Sequence, residues 1–217
     1  MQPVTFPTSD GLTLQGDVAR PVRDPRAVAV VCHPHPLHGG SMDAWLVPLM
    51  QDALAAAGCV ALRFDFRGVG RSEGRFSEGP GELRDLDAAV GWLRADTPDL
   101  PLVVAGWSFG AGVALRWVAD HADEVAGWIG VGLAPSLTTG DALRVDAEQL
   151  RTLPVPLTFV HGTNDTVAPL YRVRALAELA AEGSLVLCQG GDHLLSQHGP
   201  DVSGALVDAV EHLTGAG

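Results

Sequence analysis

Short apolar runs alternate with longer amphipathic segments along most of the chain. Eight runs have the short length and the β-branched residues of strands: residues 4–6, 12–18, 27–32, 60–66, 102–107, 125–133, 157–161 and 185–188. Five longer segments space their apolar residues as amphipathic helices do: residues 45–57, 83–94, 109–119, 170–181 and 202–213. Because strands and helices alternate after residue 27, the pattern predicts a mostly parallel sheet with helices on both faces.

The first two predicted strands differ from the rest. Apolar and polar residues alternate in them, and the turn sequence Ser9-Asp10-Gly11 separates them. They therefore predict an antiparallel hairpin with one solvated face, which gives the sheet an antiparallel N-terminal strand. We expect eight strands in a single α/β domain over residues 1–217. Ligands of such sheets bind at the carboxyl ends of the strands, so the residues directly after each strand are the candidates for chemistry.

The charged residues narrow the range of partners. The chain carries 14 Lys+Arg and 26 Asp+Glu, a net charge of -12 at pH 7, and every basic residue is arginine. An acidic surface argues against nucleic acid and against anionic membranes, because both bind clustered positive charge. The absence of lysine excludes a lysine Schiff base, a P-loop nucleotide site and a protein kinase.

The cysteines and the lengths of the apolar runs predict the cellular compartment of the protein. Cys32, Cys59 and Cys188 lie in apolar, strand-like runs without C-x-x-C spacing. An odd number of cysteines, with no signal sequence visible at residues 1–8, predicts unpaired thiols in a reducing environment. No apolar run reaches the ~18 residues that a membrane span needs. We therefore expect a cytoplasmic protein.

A candidate nucleophile follows the predicted strand 102–107. The sequence Gly106-Trp107-Ser108-Phe109-Gly110 fits the pattern G-x-S-x-G between that strand and a predicted helix. A sharp turn there strains the backbone of Ser108 and projects its Oγ above the sheet, which requires small neighbouring residues. The helix N-terminus favours developing negative charge. The alternative is an ordinary glycine-rich turn. The position of the motif between a predicted buried strand and a helix favours a nucleophile.

A serine nucleophile needs a general base and an acid that orients the base. Asp165 follows the predicted strand 157–161, and His193 follows the predicted strand 185–188. The chain order Ser108, Asp165, His193 is the order found in α/β-hydrolase triads. The three residues therefore predict a Ser-His-Asp arrangement at the carboxyl edge of the sheet.

Other residues compete for the two supporting positions. His198 is an alternative base, and Asp192 and Asp201 are alternative acids. His193 is preferred because it comes directly after the last strand. Asp165 is preferred because the side chain of Asp192, adjacent to His193 in sequence, is expected to point away from it.

Five segments make the chain resemble members of the α/β-hydrolase superfamily over nearly its whole length. They are HPHPLHGGSMD (33–43), FDFRGVGRSEG (64–74), GWSFG (106–110), HGTNDTVAP (161–169) and GGDHLL (190–195). The first resembles the H-P-H-P-x-x-G-G signature of a small capless subgroup, similar to dienelactone-hydrolase-like and acylpeptidase-like catalytic domains. The resemblance implies an α/β-hydrolase fold without a substantial cap domain, and a catalytic triad of Ser108, His193 and Asp165.

The resemblance also implies an oxyanion hole made of two backbone N–H groups. One is the N–H of Phe109, directly after the nucleophile. The other comes from the loop after the strand 27–32, whose two prolines have no N–H to donate. Aligning H-P-H-P with the superfamily's H-G-x-P places this donor at His35, with Leu37 as the alternative.

A metal site is the competing interpretation of the histidine-rich loop. His33, His35 and His38 lack the spacing of a helical H-E-x-x-H site, and the prolines between them prevent a helix. We expect neither a metal ion nor a cofactor here or elsewhere in the chain.

The glycine-rich loop within residues 64–74 has two interpretations. A phosphate cradle would need a following lysine or the dinucleotide fingerprint, and both are missing. A tight turn held by hydrogen bonds from Asp65, Arg67 and Ser72 is the preferred interpretation.

These observations predict a serine hydrolase that cleaves carboxylic ester bonds of small substrates through an acyl-enzyme. A serine nucleophile argues against dehalogenase and epoxide hydrolase chemistry, which use aspartate, and departs from the cysteine of dienelactone hydrolases. Residues 136–153 allow at most a short helix where related proteins insert a lid, so we expect an open, shallow site. The alternatives are a peptidase or thioesterase using the same triad, and a non-catalytic binding module of the same fold.

Overall fold

The computed structural model describes residues 1–134 and 141–215, whose eight strands form one sheet. The strands are β1 (Gln2–Pro7), β2 (Thr13–Ala19), β3 (Ala27–Cys32), β4 (Cys59–Phe64), β5 (Leu102–Trp107), β6 (Gly127–Val131), β7 (Leu157–Gly162) and β8 (Gly183–Cys188). Their order is β1-β2-β4-β3-β5-β6-β7-β8. Strand β2 is antiparallel to both of its neighbours, and β3 to β8 are parallel. The mostly parallel eight-stranded sheet with an antiparallel N-terminal strand is confirmed.

Helices cover both faces of this sheet. They are α1 (Leu46–Ala56), α2 (Pro80–Arg94), α3 (Phe109–Asp120), α4 (Ala147–Thr152), α5 (Leu170–Leu179) and α6 (Gly199–Thr214). Successive side chains of a strand point to opposite faces. In β3, Val28 and Val30 therefore join a core with α2, α3 and α5, whereas Ala29 and Val31 join a core with α1 and α6. No helix in the described part of the chain has the length and apolarity needed to cross a membrane.

Two predicted strands are shorter in the structure. The strand predicted at residues 125–133 is reduced to β6, since the Val125 N–H bonds to the Ala122 carbonyl in a turn and Gly132 has a left-handed φ of 53°. The strand predicted at residues 60–66 ends at Phe64. Within the predicted segment 136–153, residues 136–140 lie outside the described residues, and the rest holds a 3₁₀ turn and the six-residue α4. The single domain expected for residues 1–217 stays a prediction.

The glycine-rich loop after β4 is held by the residues that the sequence singled out. The Ser72 hydroxyl donates to the Asp65 carbonyl at 2.7 Å, and the Asp65 carboxylate accepts the Met42 N–H at 2.7 Å. The Arg67 guanidinium pairs with Asp85 at 2.8 Å and with Asp10 at 2.9 Å. These bonds tie the loop to α2 and to the first hairpin turn, and they agree with a tight structural turn.

Candidate active site

Ser108 occupies a strained turn between β5 and α3. Its φ of 55° and ψ of -113° are rare for a residue with a side chain. A Cβ atom on Gly106 would lie 2.5 Å from the Gly110 backbone, and one on Gly110 would collide with the carbonyl oxygens of Cys32 and His33. Glycine at both positions therefore lets β5, α3 and the loop after β3 approach closely enough to form this turn.

The structure brings the three predicted side chains together. The Ser108 hydroxyl lies 2.9 Å from Nε2 of His193, and Nδ1 of His193 lies 2.7 Å from Oδ2 of Asp165. Ser108 follows β5, Asp165 follows β7 and His193 follows β8. Because parallel strands end at the same edge, residues that are distant in the sequence meet there.

Asp165 is fixed by more than its bond to His193. Its Oδ1 accepts the N–H groups of Val167 at 2.9 Å and Ala168 at 2.8 Å, and its side chain is fully buried. Desolvation raises the pKa of Asp165, but the hydrogen bonds from His193 and the Ala168 N–H outweigh it, so the pKa lies below its ordinary value. The ionised carboxylate accepts Nδ1–H of His193 and leaves Nε2 unprotonated toward Ser108.

His161 is a second buried imidazole beside Asp165. Its Nε2 lies 2.7 Å from the carbonyl oxygen of Ala168 and 3.6 Å from Oδ2 of Asp165. Burial lowers the pKa of His161, so the neutral ring donates Nε2–H to the Ala168 carbonyl. This contact supports the loop that carries Asp165.

The alternative base and acids are engaged elsewhere. His198 and Asp201 pair with each other at 2.8 Å, at the start of α6. Asp192 uses its Oδ1 to accept the N–H groups of Leu194 and Leu195. In the described structure, neither His198 nor these two carboxylates contacts Ser108 or His193.

Two tryptophans hold the backbone around His193. The sequence left both open as core or cavity-wall residues and did not indicate these hydrogen bonds. The indole N–H of Trp107 points to the His193 carbonyl oxygen at 3.4 Å, and that of Trp45 donates to the Leu194 carbonyl at 3.1 Å. Leu195 follows with a left-handed φ of 54°. The only sequence signal was the position of Trp107 beside the nucleophile.

The loop after β3 places His35 near the nucleophile. The His35 ring lies 5.1 Å from the Phe109 ring, and His35 lines a cavity together with Ser108. The Leu37 N–H is already bonded to Nδ1 of His35 at 3.2 Å. Within residues 1–134 and 141–215, the N–H groups of His35 and Phe109 have no hydrogen-bond acceptor. Both are therefore available to a substrate atom.

Ser108 lies in the lining of a cavity of about 410 Å³. The lining residues are Pro34, His35, His38, Gly39, Gly40, Ala44, Trp107, Ser108, Val167, His193 and Leu194. The volume falls within the usual range for small-molecule sites. Ser108 itself is 3% exposed. The open, shallow site expected from the short connection between β6 and β7 stays a prediction. The walls are formed by the loops after β3 and β7 and by the loop after β8.

A sequence model for the alpha/beta hydrolase domain matches residues 26–209. The chain belongs to the alpha/beta hydrolase family. The predicted fold, including the lack of a substantial cap domain in the described residues, is thereby confirmed.

Three similar proteins extend this comparison. An alpha-beta serine hydrolase homologue from Coxiella burnetii superposes with a TM-score of 0.85 at 28% identity, covering 96% of this chain and 98% of that one. An alpha/beta serine hydrolase without a lid, from Xanthomonas campestris, gives a TM-score of 0.83 at 30% identity, with 97% and 93% covered. The monoacylglycerol lipase of Mycolicibacterium smegmatis is 30% identical over 143 residues, which are 63% of this chain and 48% of that protein.

His33 links the loop after β3 of this hydrolase to the segment that follows β4. Its Nδ1–H donates to the Pro34 carbonyl at 2.6 Å, and its Nε2 accepts the Phe66 N–H at 3.1 Å. Burial lowers the pKa of His33 to about 4, although the bond to Pro34 opposes this. Protonation would place a hydrogen on Nε2, against the Phe66 N–H.

The hydrolase is expected to lose stability between pH 6.5 and pH 4 because of His33. An unfolded histidine takes up a proton near pH 6.5, whereas folded His33 resists it until about pH 4. The free energy of unfolding therefore loses nothing to His33 above pH 6.5, and it falls by roughly 3 kcal/mol as the pH decreases to 4. Urea unfolding at a series of pH values measures the free energy, and NMR titration of His33 measures its pKa.

The control for this prediction is the exposed His212. His212→Asn should keep the pH slope of the wild type, whereas His33→Asn should flatten it. His161, whose pKa is also lowered, contributes in the same direction and remains in both variants. A His33 imidazole that titrates near its ordinary pKa in the folded protein contradicts the prediction, whether or not the variant folds.

One group of possible metal ligands occurs in the described part of the hydrolase. Cys188, His198 and Asp201 each place a ligand atom within 4.8 Å of the other two. Burial, with a contribution from Asp201, raises the pKa of the Cys188 thiol to about 11. A metal ion would have to displace that proton to use the sulfur. The expectation that the chain needs no metal or cofactor stays a prediction.

Proposed function

We propose that this hydrolase cleaves carboxylic ester bonds of small molecules through an acyl-enzyme on Ser108. One observation carries the proposal. The Ser108 hydroxyl, the His193 imidazole and the Asp165 carboxylate form a continuous chain of contacts of 2.9 and 2.7 Å, and Ser108 and His193 line the cavity. A nucleophile, a base and an orienting acid in this order are what acyl transfer requires.

The reaction follows from the protonation states. Nε2 of His193 takes the hydroxyl proton while Ser108 Oγ attacks the ester carbonyl carbon. The imidazolium so formed is stabilised by Asp165, and it gives its proton to the departing alkoxide, which leaves as an alcohol. Water then attacks the acyl-serine with the same base, and the carboxylic acid leaves as Ser108 regains its proton.

The tetrahedral intermediate carries a negative oxygen that needs donors. The N–H groups of Phe109 and His35 are the candidates for this role. Phe109 directly follows Ser108, His35 lines the cavity together with Ser108, and neither N–H has an acceptor among the described residues. The Leu37 N–H is a weaker candidate because His35 already accepts it. We therefore assign the oxyanion hole to Phe109 and His35, each donor contributing about 3–4 kcal/mol.

Replacing His35 with proline tests this assignment. The φ of His35 is -57°, within the range that a proline ring imposes, so His35→Pro removes the N–H with little backbone change. We expect kcat to fall about 10²–10³-fold. His35→Ala keeps the N–H and removes the imidazole, and it should lose much less. Equal losses in steady-state ester hydrolysis by the two variants would show that the His35 N–H is not the donor.

The surroundings of Ser108 bear on the kind of substrate. The cavity lining is mostly apolar, which suits a small neutral molecule. The monoacylglycerol lipase similarity supports an ester as the bond cleaved. No partner other than this small molecule is proposed, and neither nucleic acid nor a membrane is expected with a net charge of -12.

Labelling and a matched substrate panel test the proposed function. A fluorophosphonate should modify one residue, found by mass spectrometry in the peptide that contains Ser108. The p-nitrophenyl esters should be hydrolysed faster than thioesters and far faster than peptide p-nitroanilides. If Ser108 is labelled but thioesters or anilides are hydrolysed faster than esters, the ester assignment is contradicted. Absence of both labelling and hydrolysis supports a non-catalytic binding module.

A further inference from the structure

Few large apolar side chains are exposed on the described surface, and several of them stand around the mouth of the active site. The exposed set is Met1, Val22, Leu37, Trp45, Val167, Tyr171 and Leu194. Val167 and Leu194, which are 42% and 52% exposed, also line the cavity that contains Ser108. Trp45, which is 39% exposed, lies beside Leu194, whose carbonyl accepts its indole N–H. We call Trp45, Val167 and Leu194 the apolar rim.

The apolar rim is continuous with the interior of the cavity. The Trp45 ring meets the Trp107 ring edge to face at 6.3 Å, and Trp107 lines the cavity next to Ser108. The Trp45 indole also donates to the Leu194 carbonyl at 3.1 Å, which fixes the tryptophan beside Leu194. Trp107 therefore connects the cavity beside Ser108 with Trp45 and Leu194 of the apolar rim.

The cavity has no charged group to recognise a charged acyl chain. Its described lining contains no Asp, Glu or Arg, and its polar members besides Ser108 and His193 are the two histidines His35 and His38. An exposed apolar surface next to a site marks the place where an apolar ligand is bound. A neutral hydrocarbon chain matches both the lining and the rim.

We infer that the hydrolase prefers esters of medium-length acyl chains, which run from Ser108 along Trp107 to the apolar rim. This inference rests on the proposed ester hydrolysis. Val167 and Leu194 are then specificity-determining residues, placed by the same loops that carry Asp165 and His193. The acyl chain covers apolar surface that water otherwise contacts, so each added methylene strengthens binding in the transition state.

A series of p-nitrophenyl esters tests the preference. With acetate, butanoate and hexanoate as monomeric substrates, kcat/KM should rise about fourfold for each methylene that the cavity and rim bury. An alkyl acetate series, in which only the alcohol lengthens, should show a much smaller gain. A flat profile with acyl length, or a gain that follows the alcohol instead, overturns the inference.

Substitutions in the apolar rim test whether these residues cause the dependence of kcat/KM on acyl length. Leu194→Ser and Val167→Ser should each lower the hexanoate-to-acetate ratio of kcat/KM about five- to tenfold, since each removes apolar surface along the chain. The ratio corrects for general losses of activity or of folded protein. Val22→Ser is the matched control, because Val22 is fully exposed beside Arg20 and Arg23, away from the cavity. Ratios that stay at the wild-type value in both rim variants overturn the role of the rim.

The outcomes separate this inference from the proposed function. If fluorophosphonate labels Ser108 and the acetate ester is hydrolysed, but kcat/KM does not depend on acyl length, the proposed ester hydrolysis is supported and only the acyl-chain inference is overturned. Failure of labelling and of hydrolysis across the whole series overturns both.

Discussion

Replacing Ser108 with alanine is expected to lower kcat for ester substrates by at least about 10⁴-fold. The variant has no nucleophile to form the acyl-enzyme, while the donors of Phe109 and His35 and the cavity remain. The residual rate should therefore come from the oxyanion hole and substrate binding alone. Steady-state hydrolysis of p-nitrophenyl esters measures the loss, and fluorophosphonate labelling should disappear with it.

Ser108→Ala should leave the fold unchanged. Alanine keeps the side-chain strain at φ 55° and removes only the hydroxyl contact with His193, so the free energy of unfolding should change by no more than about 1 kcal/mol. Ser203→Ala, on α6, is the matched control and should retain wild-type kcat. An alanine variant that still turns over esters at a rate close to the wild type would remove Ser108 from the mechanism.

Ser108, Asp165 and His193 could be placed from the sequence because of a simple geometric property of parallel sheets. Each follows an apolar run that the alternating pattern predicts to be a strand of the parallel sheet, and the carboxyl ends of such strands share one edge. The strained serine was predictable for a similar reason: a strand must reverse into a helix at G-x-S-x-G. The local pattern was therefore sufficient to predict which residues meet.

Other parts of the site depend on contacts that no local pattern records. In the sequence, the apolar residues Trp45, Val167 and Leu194 cannot be distinguished from core residues. In the structure they are partly exposed at the cavity mouth. The indole bonds to the His193 and Leu194 carbonyls join α1 and β5 to the last loop. Such pairings depend on how the helices pack on the sheet, and periodicity does not specify packing.

The residues that line the cavity were also beyond the sequence. The sequence analysis considered only the short connection between β6 and β7, but the walls come from the loops after β3, β7 and β8. Loop length at one position therefore did not show which residues surround Ser108. The same walls supply the surface that the acyl-chain inference depends on.

Asp165→Asn is expected to lower kcat about 10⁴-fold, because it presents the wrong group to His193. The N–H groups of Val167 and Ala168 donate to Oδ1 in the wild type, so in the variant they select the amide oxygen for that position. The amide NH₂ must then take the place of Oδ2, 2.7 Å from Nδ1 of His193. An NH₂ donor stabilises the tautomer with its proton on Nε2, which can no longer accept the proton of Ser108.

The matched control separates this tautomer effect from a general loss of charge. Asp201→Asn removes a carboxylate that pairs with His198 instead, so ester hydrolysis should keep the wild-type kcat. In Asp165→Asn the buried backbone donors stay satisfied, so thermal unfolding should show a folded protein even as turnover is lost. Low-field proton NMR provides a direct readout, since the Nδ1–H signal of His193 should be present in the wild type and absent in the variant. An Asp165→Asn enzyme with near wild-type turnover would show that Asp165 is not the acid. Loss of turnover in Asp201→Asn would point instead to Asp201 as the acid and to His198 as the base.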